Sequence, residues 1–251
     1  MKKISFVIII FAHIAFSISS RAQDQKADSF LFHIQDKIYE AFIASFSDKD
    51  ISELQKIQHS IQDLNSNSQI VNYWIPYSKY YESIFYLKNQ DNKQAKKSID
   101  DGIDLLSEFS NKNSESFALL AHLQSFSIQF EKGMSVIETS KEVLNNAEKA
   151  LEMDKSNPRA WYVLACNDYY KPKQYGGGKK CEEYLLKTIS TSENSSSNPY
   201  LPTWGISDAY ALLIGYYIGN NEEEKAKETF DKGLLLFPND YMINQYAGQF
   251  K

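Results

Sequence analysis

Three glycines, Gly176, Gly177 and Gly178, run into Lys179 and Lys180 in the stretch KPKQYGGGKK, residues 171–180. Glycines before lysine at a helix start can form a phosphate-binding loop, because free backbone N–H groups and the helix dipole favour an anion there. A nucleotide loop demands more. It needs G-x-x-x-x-G-K-[ST] after a strand, with a hydroxyl to reach magnesium. Here the spacing fails, Lys180 stands where Ser or Thr is required, and the preceding WYVLACNDYY is helical in pattern. The G-x-G-x-x-G dinucleotide turn fails as well. Two readings stay open. One is a general anion site of three N–H groups and two lysines. The other is a helix-to-helix turn whose glycines take positive φ or permit close backbone approach, with Tyr175 folded back onto the helices.

No other constellation reads as catalytic. His33, His59 and His122 lie far apart and form no HxxxH or HExxH pair, so each reads as a surface or interface histidine. There is no G-x-S-x-G elbow for a serine nucleophile. Cys166 and Cys181 lack a neighbouring histidine to generate a thiolate, and their spacing is not that of a zinc site. They are either one disulfide or two small buried residues. Asp100, Asp101 and Asp104 lack calcium-loop spacing and read as a solvated helix face. The chain is therefore expected to be no enzyme, with no cofactor and no metal.

The start of the chain has its own pattern. Lys2 and Lys3 precede a mostly apolar run from Ile4 to Ile18, and Ser20 and Ala22 place small residues before Gln23. That is the form of a secretory signal peptide over 1–22, leaving a mature domain over 23–251 that is periplasmic or otherwise exported. The alternative is an uncleaved amino-terminal anchor. The apolar run is short for a membrane span, and no second one follows. Removing Lys2, Lys3 and Arg21 from the 27 basic residues leaves 24 against 32 acidic ones, a net charge of −8. An acidic chain without a basic cluster argues against nucleic acid and anionic membranes as partners.

The elements that must position any site are helical almost throughout. Apolar periodicity predicts helices near 25–46, 51–64, 70–89, 92–108, 113–131, 137–153, 158–170, 179–190, 204–219, 222–236 and 239–248. Asp50 reads as an N-cap, with Glu53 completing a capping box. Pro238 ends the helix before it. STSENSSSNPYLP, residues 190–202, reads as an inserted loop with nothing to bury.

Repeats emerge from these helices. Tyr210, Leu213, Ile214 and Tyr217 match the spacing W-x2-L-G-x2-Y, followed by Ala226, Phe230 and Gly233 at A-x3-F-x2-A and then Pro238. Only the bulky Ile214 departs, where Gly or Ala is usual. In the preceding unit Trp161, Leu164 and Ala165 fill the first helix, and Cys181, Leu185 and Thr188 the second. KPKQYGGG supplies about four extra residues between them. Earlier units are weaker. One carries Tyr86, Ala95, Ile99 and Gly102. The other carries Phe117, Leu120 and Ala121, with its second helix about ten residues late. The best repeats therefore span about 158–190 and 207–240.

By these residues the chain resembles the tetratricopeptide-repeat superfamily over roughly 30–250. NPRAWYVLACNDYYKPKQYGGGKKCEEYL resembles exported members from Gram-negative bacteria with an NPRA…P..(F/Y)GGG segment. A looser similarity is to the periplasmic T-component of tripartite substrate transporters. The resemblance implies an all-α fold, a right-handed solenoid of helical hairpins, serving as a scaffold that binds a protein or peptide. The transporter similarity implies the alternative, a small-molecule carrier.

In that superfamily the groove is lined by first-helix positions. Here they are Tyr77 and Tyr80, Ala118 and His122, then Arg159, Tyr162, Cys166 and Tyr169. Tyr77, Tyr80, His122, Arg159, Tyr162 and Tyr169 are the candidate binding face; alternatively Tyr77 and Tyr80 are core and only Arg159, Tyr162 and Tyr169 face outward. The Lys/Asn clamp for a peptide carboxylate is absent, with Tyr162 and Cys166 in two of its places. The native protein is expected to begin at Gln23, and mass spectrometry that finds Met1 retained would overturn the signal-peptide reading.

Overall fold

A computed structural model describes residues 29–64, 69–192 and 198–250, and every regular element among them is helical. The helices pair as hairpins: α1 (Ile34–Asp48) with α2 (Ser52–Asp63), α3 (Gln69–Lys88) with α4 (Asn92–Glu108), α5 (Ser114–Ser127) with α6 (Met134–Met153), α7 (Pro158–Tyr170) with α8 (Cys181–Ser192), and α9 (Ile206–Gly219) with α10 (Glu223–Leu236). A single turn, α11 (Tyr241–Asn244), closes the described chain. Each hairpin from α3/α4 onward packs most heavily within itself, then onto the next through α4–α5, α5–α7, α6–α7 and α8–α9. The fold is thus all-α, a stack of helical hairpins of tetratricopeptide-repeat type. The signal-peptide segment, and the start of the first helix as read from the sequence, lie outside the described residues.

Side chains that accept first-turn N–H groups set several helix starts. Asp91 accepts from Gln94, Asn113 from Ser116, and Asn157 from Arg159 and Ala160 just before Pro158. Asp50 accepts the Ser52 N–H at 3.0 Å, as a cap would. The capping box does not form, because the Asp50 N–H goes instead to the Ser45 carbonyl and Glu53 pairs with Lys56. The expected late helix begins earlier, at Met134, after a 3-10 turn over Ile128–Phe130 and Gly133 at φ 67°.

Small residues fall where helices approach most closely. A methyl group on Gly102 would sit 3.2 Å from the Lys79 Cβ and 3.3 Å from Leu123. One on Gly233 would meet Tyr210 and Ile243 at 3.3 Å. Ala226 is fully buried in a cluster with Cys181, Leu185, Leu213 and Tyr217. Tyr210 belongs instead to a neighbouring cluster with Ile214, Phe230 and Ile243. Ile214, the departure from the repeat pattern, is fully buried there.

Polar clamps tie hairpin to hairpin. Buried Glu82 on α3 accepts from Gln55 and Gln58 on α2 and pairs with Lys79 at 2.6 Å. The Arg159 guanidinium on α7 grips both carboxylate oxygens of Glu115 on α5, a bidentate pair. Ala226→Leu is expected to overpack the α9–α10 contact and cost about 1–3 kcal/mol. Chemical denaturation checks this, and an unchanged midpoint would mean the repeat register is wrong.

Candidate functional site

The glycine segment is a structural turn, and its N–H groups are already used. Gly176 donates to the Lys173 carbonyl at 2.9 Å, Gly177 to Pro172 at 3.3 Å and Gly178 to Asp168 at 2.8 Å. The Asp168 carboxylate takes the Lys180 N–H at 2.8 Å. None of these donors is left to hold an anion, which removes the basis of the anion-site reading. Gly176 and Gly178 adopt φ of 87° and 77°, and a Cβ on Gly177 would lie 1.8 Å from the Lys171 carbonyl oxygen. Tyr175 does not fold back onto the helices; it is 68% exposed.

The concave side is where functional groups gather. Side chains of the first helices α1, α3, α5 and α7 gather there around one segment of chain. The segment from Asn198 to Gly205 lies across it as a strap; its part up to 202 reads from sequence as loop with nothing to bury and its end as the start of a helix near 204, whereas α9 begins at Ile206. The Pro199 carbonyl accepts the His33 N–H at 3.1 Å. Gln35 and Thr203 exchange two hydrogen bonds, at 2.9 and 2.8 Å. Trp204 is buried, and its indole N–H donates to the Tyr73 hydroxyl at 2.6 Å.

Around Trp204 the aromatic rings are continuous. Its ring lies 4.7 Å from His122, 6.4 Å from Tyr162 and 6.5 Å from Tyr77. His122 continues to Tyr80 at 4.7 Å, and Tyr80 to Tyr81 at 5.2 Å. Tyr81 reaches Tyr39 on α1 at 5.8 Å. Tyr80, Tyr81, His122 and Tyr162 each keep part of their surface in solvent. Burial is nevertheless the largest cause raising the phenol pKa values of Tyr80, Tyr81 and Tyr162. We call these half-buried rings beside Trp204 the recess.

The six candidate residues therefore separate. Tyr80, His122 and Tyr162 share the recess wall. Tyr77 is 2% exposed and lies behind it, bonded to the Tyr81 hydroxyl at 3.2 Å. Arg159 is turned into its ion pair with Glu115 rather than toward a ligand. Tyr169 sits beside Tyr170 at 5.0 Å, further along α7. Ala118 is buried with Ala150 and Ala160, away from the recess.

Sequence reasoning missed Trp204 and Asp208. Asp208, in the first turn of α9, accepts the Gly205 N–H at 3.1 Å. Its pKa is raised, first by burial and further by Asp240, against the lowering effect of that hydrogen bond. The available signal was WGISD, an aromatic and an acid flanking a glycine at a helix start. Cys166 and Cys181 are unbonded and buried, and burial pushes both thiols up to about 12. Among the described residues no group of His, Cys, Asp or Glu is placed to hold a metal ion. No described helix is long and apolar enough to cross a membrane.

No protein-family model and no curated protein matches the chain. Solved structures do. The HusA haemophore from Porphyromonas gingivalis aligns at 19% identity with a TM-score of 0.52, over 74% of this chain and 93% of that one. YrrB, a TPR protein with an unusual peptide-binding site, aligns at 17% identity and TM-score 0.37, over 89% and 99%. The assembly chaperone of RpL4 aligns at 10% and 0.32, over 86% and 94%. At these identities the likeness concerns the fold.

The half-buried His122 imidazole generates a pH dependence. Burial lowers the His122 pKa from 6.5 to about 4. A depressed folded-state value stabilises the fold above the unfolded pKa and loses that contribution as pH falls through the folded one. The His122 contribution, up to about 3 kcal/mol, is expected to vanish between roughly pH 6.5 and 4. In denaturant unfolding across that window, wild type is expected to lose stability relative to His122→Phe toward the acid end. Parallel curves would place His122 in water.

Proposed function

We propose that this protein is an exported, non-enzymatic carrier whose ligand is a flat aromatic small molecule seated against the recess of Tyr80, Tyr81, His122 and Tyr162. The strap carries this reading. An extended peptide needs an uninterrupted run along the first helices, and Trp204 occupies the middle of that run. What remains open is compact, aromatic and desolvated, which suits a small rigid ligand better than a chain. The likeness to a haemophore supports a carrier of a flat ring system, haem being one. The signal-peptide pattern supports a periplasmic location.

A protein or peptide partner is the second reading, and one observation favours it. Tyr170 is 74% exposed beside Tyr169, outside the strap, and offers rigid apolar area with a hydrated tip. The two readings use different residues.

Acridone, a neutral planar tricycle, is a suitable probe of the recess. Titrated into the mature chain, it is expected to quench tryptophan emission through Trp204. A Tyr80→Ala/Tyr162→Ala double variant of checked fold is expected to weaken binding about tenfold or more. Absence of quenching in the wild type, or equal affinity in the variant, would overturn the recess as the ligand site.

A further inference from the structure

The concave side already holds one flat aromatic group, and that group is the chain's own. The Trp204 indole is 7% exposed, and its N–H donates to the Tyr73 hydroxyl at 2.6 Å. The His122 ring lies 4.7 Å away with its plane tilted by 30°, and the Tyr77 ring 6.5 Å away at 29°. Tyr162 meets the indole edge-on at 6.4 Å and 76°. A hydrogen-bond acceptor, two roughly parallel rings and an edge are what a site offers a planar aromatic ligand bearing an N–H. His122 and Tyr162 are themselves only half-buried, so solvent reaches within one ring of the indole.

No helix carries this indole. Trp204 sits on the strap, one residue before Gly205, whose φ of 86° turns the chain into α9. Groups at the surface tie the strap to the start of the chain. Gln35 and Thr203 exchange their two hydrogen bonds there, and the Tyr200 ring leans on the exposed Phe32 ring at 5.8 Å. Exposed hydrogen bonds trade with water and add little net stability. The indole is a buried tether, and its contacts are of a kind that a free molecule can reproduce.

We infer that Tyr73, Tyr77, His122 and Tyr162 form the inner part of the ligand site, that its ligand is a planar aromatic N–H donor, and that Trp204 is a built-in plug which this ligand displaces. This rests on the recess being the ligand site. While the indole is seated, the apparent affinity is the intrinsic one reduced to the fraction of molecules whose plug is out. The test compares acridone, which has a ring N–H, with N-methylacridone, which has none. Binding to the mature chain is read from the ligands' own fluorescence anisotropy, so the readout does not depend on Trp204. Trp204→Ala is expected to bind acridone about tenfold or more tightly than wild type does. The same variant is expected to bind N-methylacridone severalfold more weakly than acridone. Gln35→Ala loosens the strap from its exposed side, leaves every ring in place, and is expected to tighten acridone severalfold. Unchanged or weaker acridone binding by Trp204→Ala would make the indole a fixed wall and overturn the plug. Equal affinities of that variant for the two ligands would overturn Tyr73 as the acceptor. Should Trp204→Ala not fold, Gln35→Ala decides, and an unchanged affinity there overturns the plug. Acridone failing to bind wild type and both variants would overturn the recess itself.

Discussion

The hydrogen bond from the Trp204 indole to the Tyr73 hydroxyl governs the concave side of this molecule. A buried indole N–H must find an acceptor, and a buried phenol gains from having a donor. Meeting both needs at one point anchors the strap between the fourth and fifth hairpins to the third helix. Tyr77, His122 and Tyr162 then collect around the indole.

The hairpins beneath are ordered by size. Close approach of α3 to α4 depends on Gly102, and of α9 to α10 on Gly233, because a methyl group at either would crowd its neighbours. Ala95, Ala147, Ala165 and Ala226 serve the same end, each fully buried. Between hairpins the burden passes to polar clamps, Glu82 with its two glutamines and Arg159 with Glu115. Such pairs specify register more than they add stability, since separating either partner would strand a charge in a desolvated place.

Local pattern made the fold readable from sequence. The ranges 92–108 and 158–170 coincide with α4 and α7, because Asp91 and Asn157 are strong caps and the apolar period between is unbroken. The site was readable only in part. Tyr80, His122 and Tyr162 sit at repeat positions whose direction is set by the helix they belong to, so spacing alone brings them together. Arg159 sits at such a position too. Its orientation is decided by Glu115, 44 residues away, which no local pattern reveals. Trp204 escaped for a related reason. It reads as the start of a helix beyond a serine- and asparagine-rich loop, and what it covers depends on partners far earlier in the chain.

Those partners change how the molecule holds itself together. A simple solenoid is quasi-one-dimensional: each repeat leans on its neighbours, and the ends can fray independently. Here Gln35 and Thr203, separated by 168 residues, are joined by two hydrogen bonds, and Pro199 is joined to His33. The first hairpin and the approach to the fifth thus share one set of contacts. That closes the line into a loop and raises the mean sequence separation of native contacts, a feature that slows folding in general. Loss of the carboxy-terminal third would therefore be felt at the amino-terminal helix, as in a globular domain and unlike a string of autonomous repeats.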